Sequence, residues 1–156
     1  MSEEDYPRLA PYRWRAKRGR RTWYAVTTVK GQGKKGTVSM HRFILGEPEG
    51  RQVDHGDGNG LNNRRDNLRV CSNAQNAQNA GSKANNTSGF KGVSWDRRRR
   101  RWQAHIRAYG KKIHLGGFDS PAAAANAYDR EAIRRHGPFA RLNYPVEASL
   151  FDLPAA

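Results

Sequence analysis

Cysteine is almost missing from this chain of 156 residues, where Cys71 stands alone. With no second thiol there is no intramolecular disulfide and no CxxC pair, which excludes a disulfide framework and a four-cysteine zinc site. A reducing, cytoplasmic setting is the expectation, with Cys71 acting as a small apolar residue at a strand end. Long apolar runs are also missing. No stretch approaches the roughly eighteen residues that a membrane helix needs. Met1-Ser2-Glu3-Glu4-Asp5 is acidic and has no apolar region of the kind a secretory signal carries. Hydrophobic residues make up 36% and the mean hydropathy is −0.98, so two small cores suit the chain better than one deep one.

Acidic side chains are scarce. Asp and Glu number 14 against 29 Lys and Arg, a net charge of +15. Residues 1–80 hold 15 basic and 8 acidic side chains and residues 81–156 hold 14 and 6, so the surplus is not confined to one tail. Basic side chains displace counterions from phosphates, and a surplus in both halves points to a polyanionic partner. A membrane surface fits less well, because the cations do not lie on a helix with a bulky apolar face.

The polar stretch 80–88 has no apolar periodicity and reads as a linker. It separates a unit at 22–79 from a second at 89–145, with a basic N-terminal arm at 1–21 and a tail at 146–156. In the first unit, aromatic and β-branched residues at 23–29 predict a strand, and 37–40 returns as its hairpin partner. Gln52-Val53-Asp54-His55 is a short strand, 56–66 a loop rich in Gly and Asn, and Asn67-Leu68-Arg69-Val70-Cys71 a second strand. Ser72 and Gln75 form a capping box ahead of a polar helix at 73–79. The second unit predicts strands at 89–95, 101–107 and 111–116. Trp102, Ala104 and Ile106 share one face of the middle strand. Ser120 and Pro121 then start a helix that Gly137 and Pro138 end.

A strand–loop–strand–helix path gathers Asp54, His55, Asn67 and Asn76 onto one small surface. A carboxylate, an imidazole and a carboxamide together suit phosphodiester hydrolysis. Asp54 and Asn76 offer oxygen ligands to a hard divalent cation, and His55 can take a proton from water. Asp57, Asn59, Asn62 and Asn63 in the loop read as turn chemistry rather than ligands. His41, with Arg42 beside it, reads either as a structural hydrogen-bonding residue or as a phosphate contact.

The motifs Met40-His41-Arg42, Val53-Asp54-His55, Asn62-Asn63, Asp66-Asn67-Leu68-Arg69 and Gln75-Asn76 resemble the HNH endonucleases of the phage and homing type, over about residues 20–79. The resemblance implies a ββα-metal fold and a magnesium- or manganese-dependent cut in DNA. By it His55 is the general base, Asp54 and Asn76 hold the metal, and Asn67 braces the loop and orients His55. Asn76 stands where many relatives carry His.

The outward face of the second unit's strands carries Arg101, Gln103, His105, Arg107, Lys112 and His114, with Lys91 on the first strand and a basic turn at 97–101. A flat basic sheet face can enter a major groove. Phe90-Lys91-Gly92-Val93, Trp102-Gln103-Ala104-His105-Ile106-Arg107, Ile113-His114-Leu115-Gly116-Gly117-Phe118 and Ala140-Arg141-Leu142-Asn143-Tyr144-Pro145 resemble the AP-two domain of plant ethylene-response factors. Carried over by position, Lys91, Ser94, His105, Arg107, Lys112 and His114 contact DNA, with Arg97 and Arg101 beside them. Ser94, His105 and His114 stand where that family usually has Arg, Glu and Trp, so the plant target does not carry over.

The expectation is therefore an α+β chain, with a ββα-metal nuclease unit followed by a three-stranded antiparallel sheet packed on one helix. It would cut duplex DNA with one divalent cation, nicking as a monomer or breaking both strands as a dimer. The rival reading is a non-catalytic DNA-binding regulator with a decayed nuclease unit.

Overall fold

The aromatic and β-branched run after Thr22 forms the long central strand of the first unit. The computed structural model describes residues 1–31, 34–46, 48–82 and 85–144, and the expected tail, 146–156, lies outside them. The fold is α+β, in two compact units, Met1–Ala77 and Gln78–Ala156.

In the first unit β1 (Arg15–Arg18), β2 (Trp23–Gly31) and β3 (Lys34–Ser39) form an antiparallel sheet with β2 in the middle. Its register sets Arg15 opposite Val26 and Thr28 opposite Thr37. Helix α2 (Met40–Ile44) follows directly. A second, two-stranded sheet pairs β4 (Gln52–His55) with β5 (Leu68–Cys71), setting Asp54 opposite Arg69 and His55 opposite Leu68. Helix α3 (Asn73–Asn79) starts with the expected reciprocal cap: Gln75 N donates to Ser72 Oγ at 3.2 Å, and Ser72 N to Gln75 Oε1 at 2.9 Å.

The core of this unit is Leu9, Met40, Ile44 and Leu68, with Trp14, Ala25, Phe43 and Val53 packed against it. Leu9 belongs to the segment expected to be a basic arm, and that expectation is corrected. A 3-10 turn (Glu3–Asp5) and α1 (Tyr6–Leu9) fold onto the unit, and β1 completes the sheet. Asp5 is fully buried and receives Arg65 through two bonds, Nη2 to Oδ1 at 2.7 Å and Nε to Oδ2 at 2.9 Å. Ser2 Oγ accepts the Arg65 amide at 3.0 Å. All four residues of β1 are exposed, so this edge strand carries no apolar alternation to announce it.

In the second unit β6 (Val93–Asp96), β7 (Arg101–Ala108) and β8 (Lys111–Phe118) are antiparallel in that order. Helix α4 (Pro121–His136) covers one face. Ser120 Oγ accepts Ala123 N at 3.1 Å as the N-cap. Ala124, Ala125 and Ala132 are wholly buried, which lets the helix lie close to the sheet. A bulge after Ala104 sets Ala104 opposite Gly116 but His105 opposite His114. Such a bulge re-aims the following side chains.

The first strand of this unit is shorter than expected. Gly89 and Gly92 both have φ of 77°, a left-handed conformation that interrupts extended chain and that glycine adopts without penalty. The end of the expected linker is tied into this turn. Asn86 Nδ2 donates to Phe90 O at 2.6 Å, and Ser88 Oγ donates to Val93 O at 2.9 Å. Asp129, buried in α4, accepts the amides of Asn143 and Tyr144 at 2.9 Å each and so pins the chain after the helix.

Candidate active site and nucleic-acid interface

β4 delivers Asp54 and His55 at the end of a two-stranded ladder, with side chains on alternate faces. His55 turns inward and is 5% exposed. Its ring lies 4.9 Å from that of His41, nearly perpendicular, and 5.9 Å from that of Tyr24. Its Nε2 bonds Oδ1 of Asn63 at 3.3 Å. A carboxamide oxygen can only accept, so this bond sets the Nε2–H tautomer and gives Nδ1 the lone pair. Burial lowers the His55 pKa, while Asn63 and the charges of Asp57 and Asp54 act in the raising direction.

The intervening loop is shaped by its own side chains. Gly58 has φ of 77°. Asp57 Oδ1 accepts Asn59 N at 2.8 Å, and Asn59 Oδ1 accepts Leu61 N at 3.1 Å. These are Asx turns. Asn67 closes the loop from its far side. Its Nδ2 donates to Asp57 Oδ1 at 3.0 Å and to Asn62 O at 2.8 Å, and its Oδ1 accepts Asp57 N at 3.0 Å. Burial works upward on Asp57, but bonds from Asn62, Asn59 and Asn67 outweigh it and hold the carboxyl below its ordinary range. The loop sits tightly on the first sheet: a Cβ added at Gly60 would come 2.5 Å from Trp23 O.

Asn67 closes the loop, but the carboxamide set on His55 is that of Asn63. Asn63 is 2% exposed and was expected to be only a turn residue. Its place in the doublet Asn62-Asn63 was the available signal, since a second Asn is more than a single Asx turn requires. Asp57, Asn59 and Asn62 behave as turn residues.

Asp54 lies on the other face of β4, 7% exposed, with its Oδ2 held by Arg69 Nη2 at 2.6 Å. Gln52 shares that face by strand alternation, and its Oε1 accepts Nδ2 of Asn76. That bond leaves the oxygen of Asn76 as its remaining acceptor. One carboxylate and one carboxamide oxygen, all hard donors, fit a cation that keeps several waters, as magnesium does. Among the described residues no group of three or more His, Cys, Asp or Glu could hold a metal.

His41 is 9% exposed and its Nδ1 has no partner among the described residues. Burial first, then the His55 and Arg42 charges, pull its pKa down to about 4. A neutral imidazole brings no cation to a phosphate, which favours the structural side of its two readings. Arg42 donates to the carbonyls of Arg51, at 3.1 Å, and Pro48, at 3.2 Å, where it holds the turn before β4.

On the second unit, an open groove of about 620 Å³ runs over the sheet face away from α4. It brings together Ser94, Arg97, His105, Lys112 and His114 of the expected contacts, with Trp95, Asp96, Arg98, Arg99 and Gln103. The His105–His114 and Arg107–Lys112 pairs sit directly opposite one another across β7 and β8. Burial, then the charges of Lys112 and His114, lowers the His105 pKa. Arg101 is exposed and paired with Asp119 at 2.9 Å.

Lys91 does not belong to this face. Its Nζ donates to Gln78 O and lies 5.9 Å from the centre of the Tyr128 ring, on the helix side. Asn143 grips the Lys91 backbone at both its amide and its carbonyl. The left-handed turn at Gly92 is what rotates Lys91 out of the strand's alternation.

Residues 42–78 match the family model of the HNH endonucleases. Over the C-terminal region the chain is 47% identical to APETALA2-like protein 2 of Oryza sativa subsp. japonica across 67 residues, covering 43% of this chain and 15% of that protein. It is 45% identical to the AP2-like ethylene-responsive transcription factor TOE2 of Arabidopsis thaliana across 60 residues, covering 38% of this chain and 12% of that protein. The class is therefore an HNH endonuclease unit joined to an AP-two-like unit. Protein 3.8 of Escherichia phage T7 is 39% identical across 94 residues, which cover 60% of this chain and 77% of that protein. This chain belongs to the family of Protein 3.8. No solved structure matches it significantly. Among the described residues no helix is long and apolar enough to cross a membrane.

Proposed function

We propose that this protein is a metal-dependent DNA endonuclease whose first unit cuts and whose second unit positions it on duplex DNA. The observation that carries the reading is the setting of His55: a nearly buried imidazole at a strand end, bonded through Nε2 to a buried asparagine, inside the segment that matches the HNH endonucleases. With Asn63 on Nε2, the Nδ1 lone pair takes a proton from the attacking water. Burial keeps the imidazole neutral and ready before the step. Afterwards the imidazolium is stabilised by the Asn63 oxygen and by the nearby carboxylates of Asp57 and Asp54. Asn67 acts one step back, holding Asp57 and the loop. Asp54 and Asn76 would hold a magnesium or manganese ion, with Arg69 giving way on Asp54. Such a cation supplies positive charge for the phosphate and the leaving oxygen.

On the second unit, Ser94, Arg97, Arg101, His105, Arg107, Lys112 and His114 face the major groove. The net charge of +15 makes the contact strongly salt-dependent. The Arg69–Asp54 pair is the feature that favours the rival reading, a DNA-binding protein without catalysis, because it neutralises the one carboxylate of the donor set.

Supercoiled plasmid incubated with the protein and Mg²⁺ or Mn²⁺, beside a His55→Ala variant and an EDTA control, decides between them. Nicked or linear product that needs both metal and His55 is the expected result. Plasmid that is retarded on a gel but stays intact, across substrates that include phage genomic DNA, would overturn the nuclease and leave the binding protein.

A further inference from the structure

Asp54 and Arg69 stand directly opposite one another across the β4–β5 ladder, and their side chains meet. Arg69 Nη2 donates to Asp54 Oδ2 at 2.6 Å, the length of a strong charge-assisted bond. Asp54 is 7% exposed, so salt and water screen the pair little. The guanidinium also reaches the loop that follows His55: a Cβ added at Gly56 would lie 3.8 Å from its carbon. The Arg69 side chain keeps 22% of its surface in solvent, so one edge of it meets a molecule that approaches from outside.

A cation held by Asp54 and Asn76 competes with Arg69 for the same carboxylate. A carboxylate bonded to a guanidinium has no net charge, and the carboxamide of Asn76 adds none. The protein alone therefore offers a divalent cation oxygen atoms without negative charge, and hard cations draw much of their affinity from charged oxygens. Duplex DNA supplies the missing charge. A guanidinium fork matches the oxygens of a phosphate as it matches those of a carboxylate, so Arg69 can exchange one for the other and keep its hydrogen bonds. The charge of Asp54 then acts on the cation.

We propose that Arg69 is a counterion switch, which holds Asp54 in the protein alone and passes to a DNA phosphate when the duplex binds, so that divalent cation and DNA load together. This rests on the reading of Asp54 and Asn76 as the cation site of a DNA endonuclease.

Mn²⁺ binding, read from the electron paramagnetic resonance of free Mn²⁺, tests the switch apart from cleavage. The full chain is titrated alone and with a short duplex that a gel shift shows to be bound. A His55→Ala background prevents cutting, and Mn²⁺ taken up by the duplex itself is subtracted. The duplex is expected to tighten Mn²⁺ binding by the protein about tenfold, an ordinary size for coupling between two sites. Arg69→Gln is expected to bind Mn²⁺ about tenfold more tightly than its parent without DNA and to lose most of the gain from DNA. Arg69→Lys, which keeps the charge, is expected to stay weak without DNA. Far-UV circular dichroism checks that each variant folds. The comparison with and without duplex needs no change at Arg69, so it decides even where Arg69→Gln unfolds. Equal Mn²⁺ affinity with and without duplex would overturn the switch while leaving the cation site standing. A folded Arg69→Gln protein that binds Mn²⁺ no more tightly than its parent would do the same. No Mn²⁺ on the protein under either condition would instead sink the metal-dependent reading beneath it.

Discussion

The acid side of the stability curve tests the packing around the candidate base most directly. His41 has a pKa near 6.5 when unfolded and about 4 when folded. Above pH 6.5 both states are neutral at this position and it contributes nothing to the pH dependence. Below 6.5 the unfolded chain binds the proton and the folded one does not, so stability is lost as pH falls through the window from 6.5 to 4. The difference corresponds to about 2 kcal/mol at pH 5 and about 3 kcal/mol once both states are protonated. At 9% exposure little solvent screening applies.

Urea unfolding at pH 7 and pH 5 measures this, for wild type and for His41→Gln. Trp14 and Trp23 report the first unit in a background where Trp95 and Trp102 are replaced by phenylalanine. The substitution changes stability at both pH values through lost packing, so only the pH difference is compared. Wild type is expected to lose about 2 kcal/mol more than His41→Gln between pH 7 and pH 5. Equal losses, or a His41 ring that titrates near pH 6.5 by NMR, would refute the buried neutral imidazole and restore His41 as a phosphate contact.

Asn63→Ala should slow plasmid nicking by about ten- to a hundredfold in single-turnover assays, the loss of one hydrogen bond to a group that becomes charged. A rate within twofold or so of wild type would show that another group orients His55. On the second unit, Lys112→Ala should weaken duplex binding and lower the log–log salt slope by about 0.9, whereas Lys91→Ala should leave the slope unchanged because its ammonium faces a carbonyl. Equal slopes for the two variants would put Lys91 back on the DNA. Gly92→Ala should destabilise this unit by about 3 kcal/mol or more, since it adds a clash to the strain of a left-handed alanine; its Cβ would lie 2.7 Å from His105 O and run into the Tyr128 ring. Gly89→Ala has the same φ and open space around it, so it should show the strain alone, about 1 kcal/mol. Hydrogen exchange of the β6–β8 amides reads both, and equal losses would refute the clash.

Elements with local signals were legible before the structure. The alternation in β7, the Ser72–Gln75 box and the Ser120-Pro121 start are each written within a few residues, and each appears where its signal lies. What stayed hidden depends on partners far along the chain. Asp5 meets Arg65 across 60 positions, and no pattern in residues 1–21 announces that pairing. β1 carries only polar and small side chains toward solvent, so it shows neither a strand period nor an apolar face. Lys91 looked like a strand residue because its neighbours are strand formers. Gly92 overrules them with one dihedral angle.

The asparagines of the first unit show the same limit at the level of chemistry. Residue type and spacing single out Asn67 and Asn76 with His55, and read Asn62 and Asn63 as turn residues of the loop between them. Spacing does not say which carboxamide meets which partner, because all are equally able to donate and accept. The outcome turns on burial. Asn63 is the one driven inside, at 2% exposure, where a polar group must be paired, and the buried partner within reach is the His55 ring. Asn67, nearer the surface, is left to close the loop on Asp57, and Asn76 meets Gln52 across to β4. The two roles that the motif assigns to Asn67, bracing the loop and orienting His55, are divided between Asn67 and Asn63, so substituting Asn63 and Asn67 one at a time should give different defects: the first in the rate of the chemical step, the second in the order of the loop.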